Sequence, residues 1–151
     1  MYTLLLVIHV FSAIALLGPT YLLPFLPQLV GDPTPNPLYR VAMHIERMVS
    51  IFVVVQLVTG VGLIFTDELT YIRDDFGRHW WLHLSMTLFV IAAGIGTGYN
   101  LPRTRKALAA SSAGDTATAE ALMAPVEKVT GPLLGVMGSV IIVLMVWQPG
   151  T

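Results

Sequence analysis

Residues 2–23 read YTLLLVIHVFSAIALLGPTYLL, a run without a charged side chain, interrupted by His9, Ser12 and Thr20. An α-helix rises about 1.5 Å per residue, so roughly 20 such residues cross the hydrocarbon core of a bilayer. A run of this kind near an N-terminus is either a cleaved signal or a retained span. The first Lys or Arg of the chain is Arg40, so there is no positive n-region, and the apolar character continues through residues 22–30. The stretch therefore reads as a retained transmembrane helix.

Three further stretches of the same kind follow, over about residues 41–65, 80–101 and 129–147, the first of these with a clean apolar core from Val49 onward. The composition agrees. Of 151 residues, 55 % are hydrophobic and 11 % charged, and the mean hydropathy is +0.75. Average soluble proteins carry roughly 25 % charged residues, so a soluble globule is excluded. A net charge of −1 excludes a nucleic-acid binder of the usual basic kind. The chain has no cysteine, which excludes disulfides, thiolate chemistry, Cys-ligated zinc and iron–sulfur clusters.

The fold class predicted is all-α: one membrane domain over residues 1–151, a polytopic antiparallel bundle of four transmembrane helices in the cell inner (plasma) membrane. A further cytoplasmic-side helical segment is expected over about residues 103–124. Orientation follows the positive charges. Arg40, Arg47, Arg103, Arg105, Lys106 and Lys128 fall on one side, and only Arg73 and Arg78 on the other. Both termini are therefore placed outside. Gly31 to Pro37 reads as a stiff extended connector and residues 67–77 as a short polar loop. Asp115 reads as an N-cap, and Pro125 and Pro132 predict a bent fourth helix. Gly94, Gly96 and Gly98, and the Gly131–Gly135 pair, predict close helix packing. Trp80, Trp81 and Trp147 fit an aromatic belt.

Polar side chains inside a membrane call for an explanation. His9 lies roughly 10 Å along the first helix and His83 roughly 5 Å below Trp80, at compatible depths on two non-consecutive helices. Two such histidines suit one metal between them, and with no cysteine, haem iron held by His9 and His83 is the natural candidate. Arg73 or Arg78 would then meet the propionates. The plainer alternative is interhelical hydrogen bonding by both imidazoles. His79 is expected to be solvated. Near the start of the second helix, His44, Glu46 and Arg47 form either an interfacial charged group or a second site with a proton path, with Glu46 or Arg47 turned inward toward helix one or four. Copper is a further alternative, from His83 with Met86 and from Met43, His44 and Met48. There is no nucleophile–base pair and no phosphate-binding or metalloprotease motif.

Several short motifs extend this reading. The histidine of helix one is followed by Tyr21-Leu22-Leu23-Pro24, similar to a Tyr-Leu-Pro-Arg motif. Ile45-Glu46-Arg47-Met48 is similar to Met-Glu-Arg, and Trp81-Leu82-His83 to Trp-x-His-x-Lys. Residues 141–149 close on Trp147-Gln148-Pro149, where the relatives close on Lys-Pro. In their order these resemble HemJ, the haem-containing protoporphyrinogen oxidase family, and the copper-resistance CopD family. The whole chain also resembles uncharacterised bacterial four-helix integral membrane proteins. The resemblance implies haem b on His9, with His83 and Glu46 as site candidates. The chain departs from it at Phe25, where HemJ has Arg, and at Ser85, where it has Lys. Residues 128–132 lack its Asn-Glu. These departures argue against strict protoporphyrinogen oxidase activity. A membrane haem b protein with an electron-transfer role is the expectation, with a quinone or a membrane complex as partner and homo-oligomerisation open. A cofactor-free accessory subunit and a copper-handling or small transport protein are the alternatives.

Overall fold

The computed structural model describes residues 1–22 and 35–149. All regular structure among them is helical. The long elements are α1 (Tyr2–Leu22) and α2 (Pro35–Ile64). After two 3-10 turns and the short α3 (Thr70–Asp74) come α4 (Trp80–Gly94), a π-helical stretch (Ile95–Asn100) and α5 (Leu101–Ser112). After a turn come α6 (Thr116–Pro125), a second π-helical stretch (Val126–Thr130) and α7 (Gly131–Trp147). Four helical runs are long and apolar enough to cross a membrane: Tyr2–Pro19, Pro37–Ile64, Trp80–Ser112 and Thr116–Trp147.

The apolar side chains face outward. Leu4, Val7, Phe11, Ile51, Val58, Val90, Val136 and Val143 are all exposed. In water this would be a large unfavourable surface; in lipid it is the solvent-matched one. Hydroxyls in the spans are neutralised locally. Ser50, Ser85, Thr97 and Ser139 each donate to the carbonyl four residues earlier, at 2.6–2.9 Å. Two small packed clusters anchor the ends. Tyr39, Ala107, Ala119, Met123 and Val126 join α2, α5 and α6. Ile72, Trp81, Leu82 and Leu144 join the 65–79 segment, α4 and α7.

Several expectations need correction. The second helix begins at Pro35, ahead of the expected start near residue 41. Pro35 and Pro37 occupy its first turn, where amide hydrogens have no helical acceptor to lose. The rest of the expected connector, residues 31–34, and the Leu23-Pro24 half of the first motif lie outside the described residues. The third helical run does not stop near residue 101; it continues through Pro102 to Ser112. Pro102 follows a π-helical stretch, whose wider turn removes the clash a proline makes in an α-helix. The second π stretch lies between Pro125 and Pro132, where a bend was expected. The run breaks at Gly114, which adopts φ +85°. Asp115 donates its amide to the Ala110 carbonyl at 3.0 Å, and its carboxylate accepts from the Thr118 amide at 3.0 Å. A left-handed C-terminal turn thus runs directly into the N-cap of α6.

The close packing falls on only some of the glycines expected. A Cβ on Gly131 would press on the Val126 carbonyl of its own π turn, so this glycine serves the bulge. Gly135 lies against the Tyr21 ring and Gly138 against Leu17, so α7 takes α1 across a small-residue face. The Tyr21 hydroxyl lies 2.5 Å from Ser139 Oγ and 3.2 Å from the Gly135 carbonyl. Gly94 and Gly98 have no neighbouring atoms within 4 Å of a built Cβ. Trp80 and Trp147 are exposed, as belt residues are, but Trp81 is buried in the second cluster.

Candidate functional site

A cavity of about 860 Å³ runs between the helices, lined by α1, α2, α4, α6, α7 and both π stretches. Its walls are mainly aliphatic, with a few polar groups at separated levels. Cavities of this size hold cofactors and drug-sized ligands.

The first polar group is His9. Its Nε2 lies 2.9 Å from the Gln56 amide nitrogen, and its Nδ1 lies 3.0 Å from Thr59 Oγ1. With the Gln56 amide oriented so that its oxygen meets Ser12, its NH₂ faces His9 and can only donate, which places the lone pair on His9 Nε2 and the hydrogen on Nδ1. Thr59 Oγ1 donates to the Val55 carbonyl at 2.7 Å and is free to accept from Nδ1. The Ser12 hydroxyl lies 2.9 Å from the His9 carbonyl and makes a short hydrogen bond with Gln56 Oε1. Every member of this knot has a partner, and together they fix the tautomer and the ring plane. Gly60 makes room for the ring: a Cβ there would stand 3.0 Å from His9 Cε1.

The structure does not bring His83 into this site. Its Nε2 lies 2.9 Å from the Phe76 carbonyl, and its ring meets Phe76 edge-on at 4.4 Å between centroids. His83 is absent from the cavity wall. His79 is buried between the rings of Tyr71 and Trp81, against the expectation of a solvated group. Arg78 pairs with Asp75 at 3.3 Å and Arg73 with Asp74 at 4.0 Å, both on the exposed loop. Neither arginine lines the cavity.

The second polar group lies toward the start of α2. Glu46 turns inward while Arg47 is exposed. Glu46 Oε1 accepts from Thr104 Oγ1 at 2.8 Å, so its partner comes from α5 rather than from helix one or four. Its Oε2 is buried without a partner among the described residues. Nearby, Asn100 Oδ1 accepts from Thr130 Oγ1 at 2.7 Å, joining the two π stretches. His44 is exposed, with Nδ1 3.0 Å from the Arg40 carbonyl. Met43 is buried and Met48 exposed, so these three do not converge. Among the described residues no three His, Cys, Asp or Glu side chains are grouped to hold a metal ion.

No match is found. Family models, characterised proteins and solved structures all fail to align with the chain. Sequence reasoning had His9 and Glu46 but missed Gln56, Thr59, Thr104 and Asn100. The signal was there for two of them, since Gln56 and Thr59 are the polar residues of the apolar run 51–64.

Proposed function

We propose that the protein is an integral membrane haem b-binding protein with an electron-transfer role, and that His9 would hold the haem iron. The observation that carries this is the setting of His9 on the wall of a cofactor-sized apolar cavity: its Nε2 accepts from the Gln56 amide while its Nδ1–H donates to Thr59. A histidine ligand needs one nitrogen free of hydrogen and the other donating to a second group. When bound, haem would supply a one-electron couple whose potential the axial ligand and burial tune. Thr59 keeps the proton on Nδ1 and sets the ring plane. Gln56 donates to Nε2, so this hydrogen bond would have to open for the nitrogen to meet a metal. The aliphatic walls exclude water. No Lys or Arg is among the described residues lining the cavity, so the propionates have no lining partner and are disfavoured near Glu46. The reading thus rests on His9, with His83 outside the wall.

The topology of this reading is an antiparallel bundle with both termini outside, in a bacterial plasma membrane. Its support is twofold. Contacts run in opposite order along neighbouring helices: Leu5 meets Gly62 and Ser12 meets Gln56, while Leu17 meets Gly138 and Tyr21 meets Gly135. The positive charges are also asymmetric between the loops.

The test is a reduced-minus-oxidised optical spectrum of wild type and His9→Ala, purified in mild detergent after expression with haem supplied. The reading expects a b-type α band in wild type that is absent from the variant. An equal band in both would remove His9 as a ligand.

A further inference from the structure

The two ends of the bundle treat their cations differently. The only ion pairs among the described residues, Arg73 with Asp74 and Arg78 with Asp75, lie on the loop before Trp80. Toward the other end, residues 99–114 carry Arg103, Arg105 and Lys106 and neither Asp nor Glu.

Their level in a bilayer follows from the helix. Trp80 and Tyr99 are both exposed, and Tyr99 stands nineteen residues further along, about 28 Å of helix. A hydrocarbon core is about 30 Å thick, so the two rings mark its two surfaces and Arg103 stands one turn beyond. Thr104 and Ala107 face inward, onto Glu46 of α2 and into the cluster with Ala119 of α6. Arg103 and Lys106 are three residues apart on α5 and so are neighbours on its surface.

Arg103 is held before any ligand arrives. Its guanidinium carbon lies 3.8 Å from the centroid of the Tyr99 ring, a cation–π contact. Its Nε is buried, which leaves the fork of two Nη groups to meet an acceptor. No carboxylate among the described residues pairs with it. A fixed guanidinium fork matches two oxygens of a phosphate and loses less freedom on binding than a mobile side chain. Arg105 and Lys106 are exposed and add positive field. At the level of the head groups, the anion that offers paired oxygens and a net negative charge is the phosphodiester of an anionic phospholipid.

We propose that Tyr99, Arg103 and Lys106 form a site for one anionic phospholipid. The Nη groups of Arg103 donate to its phosphate oxygens, Lys106 adds its ammonium, and Tyr99 fixes the guanidinium. None of the three residues lines the central cavity, so the site is independent of haem.

The experiment is native mass spectrometry of the full chain in mild detergent, titrated with phosphatidylglycerol or with phosphatidylcholine of the same acyl chains. The proposal expects about one phosphatidylglycerol per chain, held about fivefold or more tighter than phosphatidylcholine. Arg103→Lys keeps the charge, loses the stacked fork and should erase most of that preference. Tyr99→Leu leaves the guanidinium unfixed and should lower the preference about two- to threefold. Arg105→Ala removes a full charge from another side of the helix and should stay within about twofold of wild type. Equal retention of the two lipids overturns the proposal. So does a loss in Arg105→Ala as large as that in Arg103→Lys, the mark of a general field rather than a site. Millimolar inorganic phosphate should leave the bound lipid in place; its displacement would assign the site to free phosphate and overturn the lipid. If Arg103→Lys does not fold, the comparison of lipids on wild type still decides.

Discussion

His9 and His83 are two imidazoles near the same end of a small bundle, and the structure treats them in opposite ways. His9 is inserted between α1 and α2, and its two nitrogens meet Gln56 and Thr59 from the neighbouring helix. His83 folds back on its own stretch of chain, onto the Phe76 carbonyl and ring. The first contact spans fifty residues and joins two transmembrane helices; the second spans seven and closes a loop. A histidine locked across helices on a cavity wall, with one nitrogen accepting and the other donating, has the pattern a metal ligand needs. A histidine that caps its own loop is set up to hold that loop.

Changing the support rather than the ligand tests this contrast hardest. Thr59→Val removes the acceptor that fixes the His9 tautomer, and loss of such a second group typically lowers metal affinity by about 10–100-fold. Haem titration of the detergent-solubilised protein should show that loss, whereas His83→Ala should stay within about twofold of wild type. The reverse ranking would exchange the roles of the two histidines.

The same contrast extends to what holds α1. Gly138 packs against Leu17, and a Cβ there collides with that side chain, so Gly138→Val should destabilise the bundle by about 1–3 kcal/mol through overpacking. Gly94→Ala, with open space around it, should not. Unfolding in mixed micelles followed by circular dichroism separates the two. His83→Ala should cost less, about 1 kcal/mol for one lost hydrogen bond to the loop, and should speed proteolysis within residues 65–79.

The smallest expected effect lies at the turn before α6, away from both histidines. The Thr118 side chain and amide beside Asp115 hold its carboxyl below the usual carboxylate range. A depressed folded pKa adds stability above the unfolded value of about 3.9, and that stability is lost as pH falls through the folded value. The protection factors of amides 116–119, corrected for the slower intrinsic exchange in acid, should therefore drop as pH falls through the folded value, and Asp115→Asn should flatten that response. The haem spectrum should be indifferent to this substitution.

How much of this was legible follows from what spacing encodes. Long apolar runs mark the four spans, because few other solvents suit them. Depth along a helix was legible too, which is why His9 and His83 looked like a pair. Direction was not. Each residue turns a helix by about 100°, so the way a side chain leaves its helix depends on packing that spacing does not carry. Glu46 and Arg47 show the same: that they do not share a face was evident, but that Glu46 would face Thr104 required α5 to continue past Pro102. That continuation rests on a π-helical turn, for which the glycines of residues 94–98 were the only hint. Gln56 and Thr59 were passed over because they are not metal ligands, although a ligand in a membrane needs partners of that kind.

The most direct measurement is haem content: pyridine haemochrome quantification and a reduced-minus-oxidised spectrum of the wild-type protein, expressed with haem supplied and purified in mild detergent. The account predicts close to one haem b per chain and a sharp b-type α band. A flat spectrum with no haem per chain would contradict it, leaving His9, Gln56, Thr59 and Ser12 as a hydrogen-bonded lock between α1 and α2.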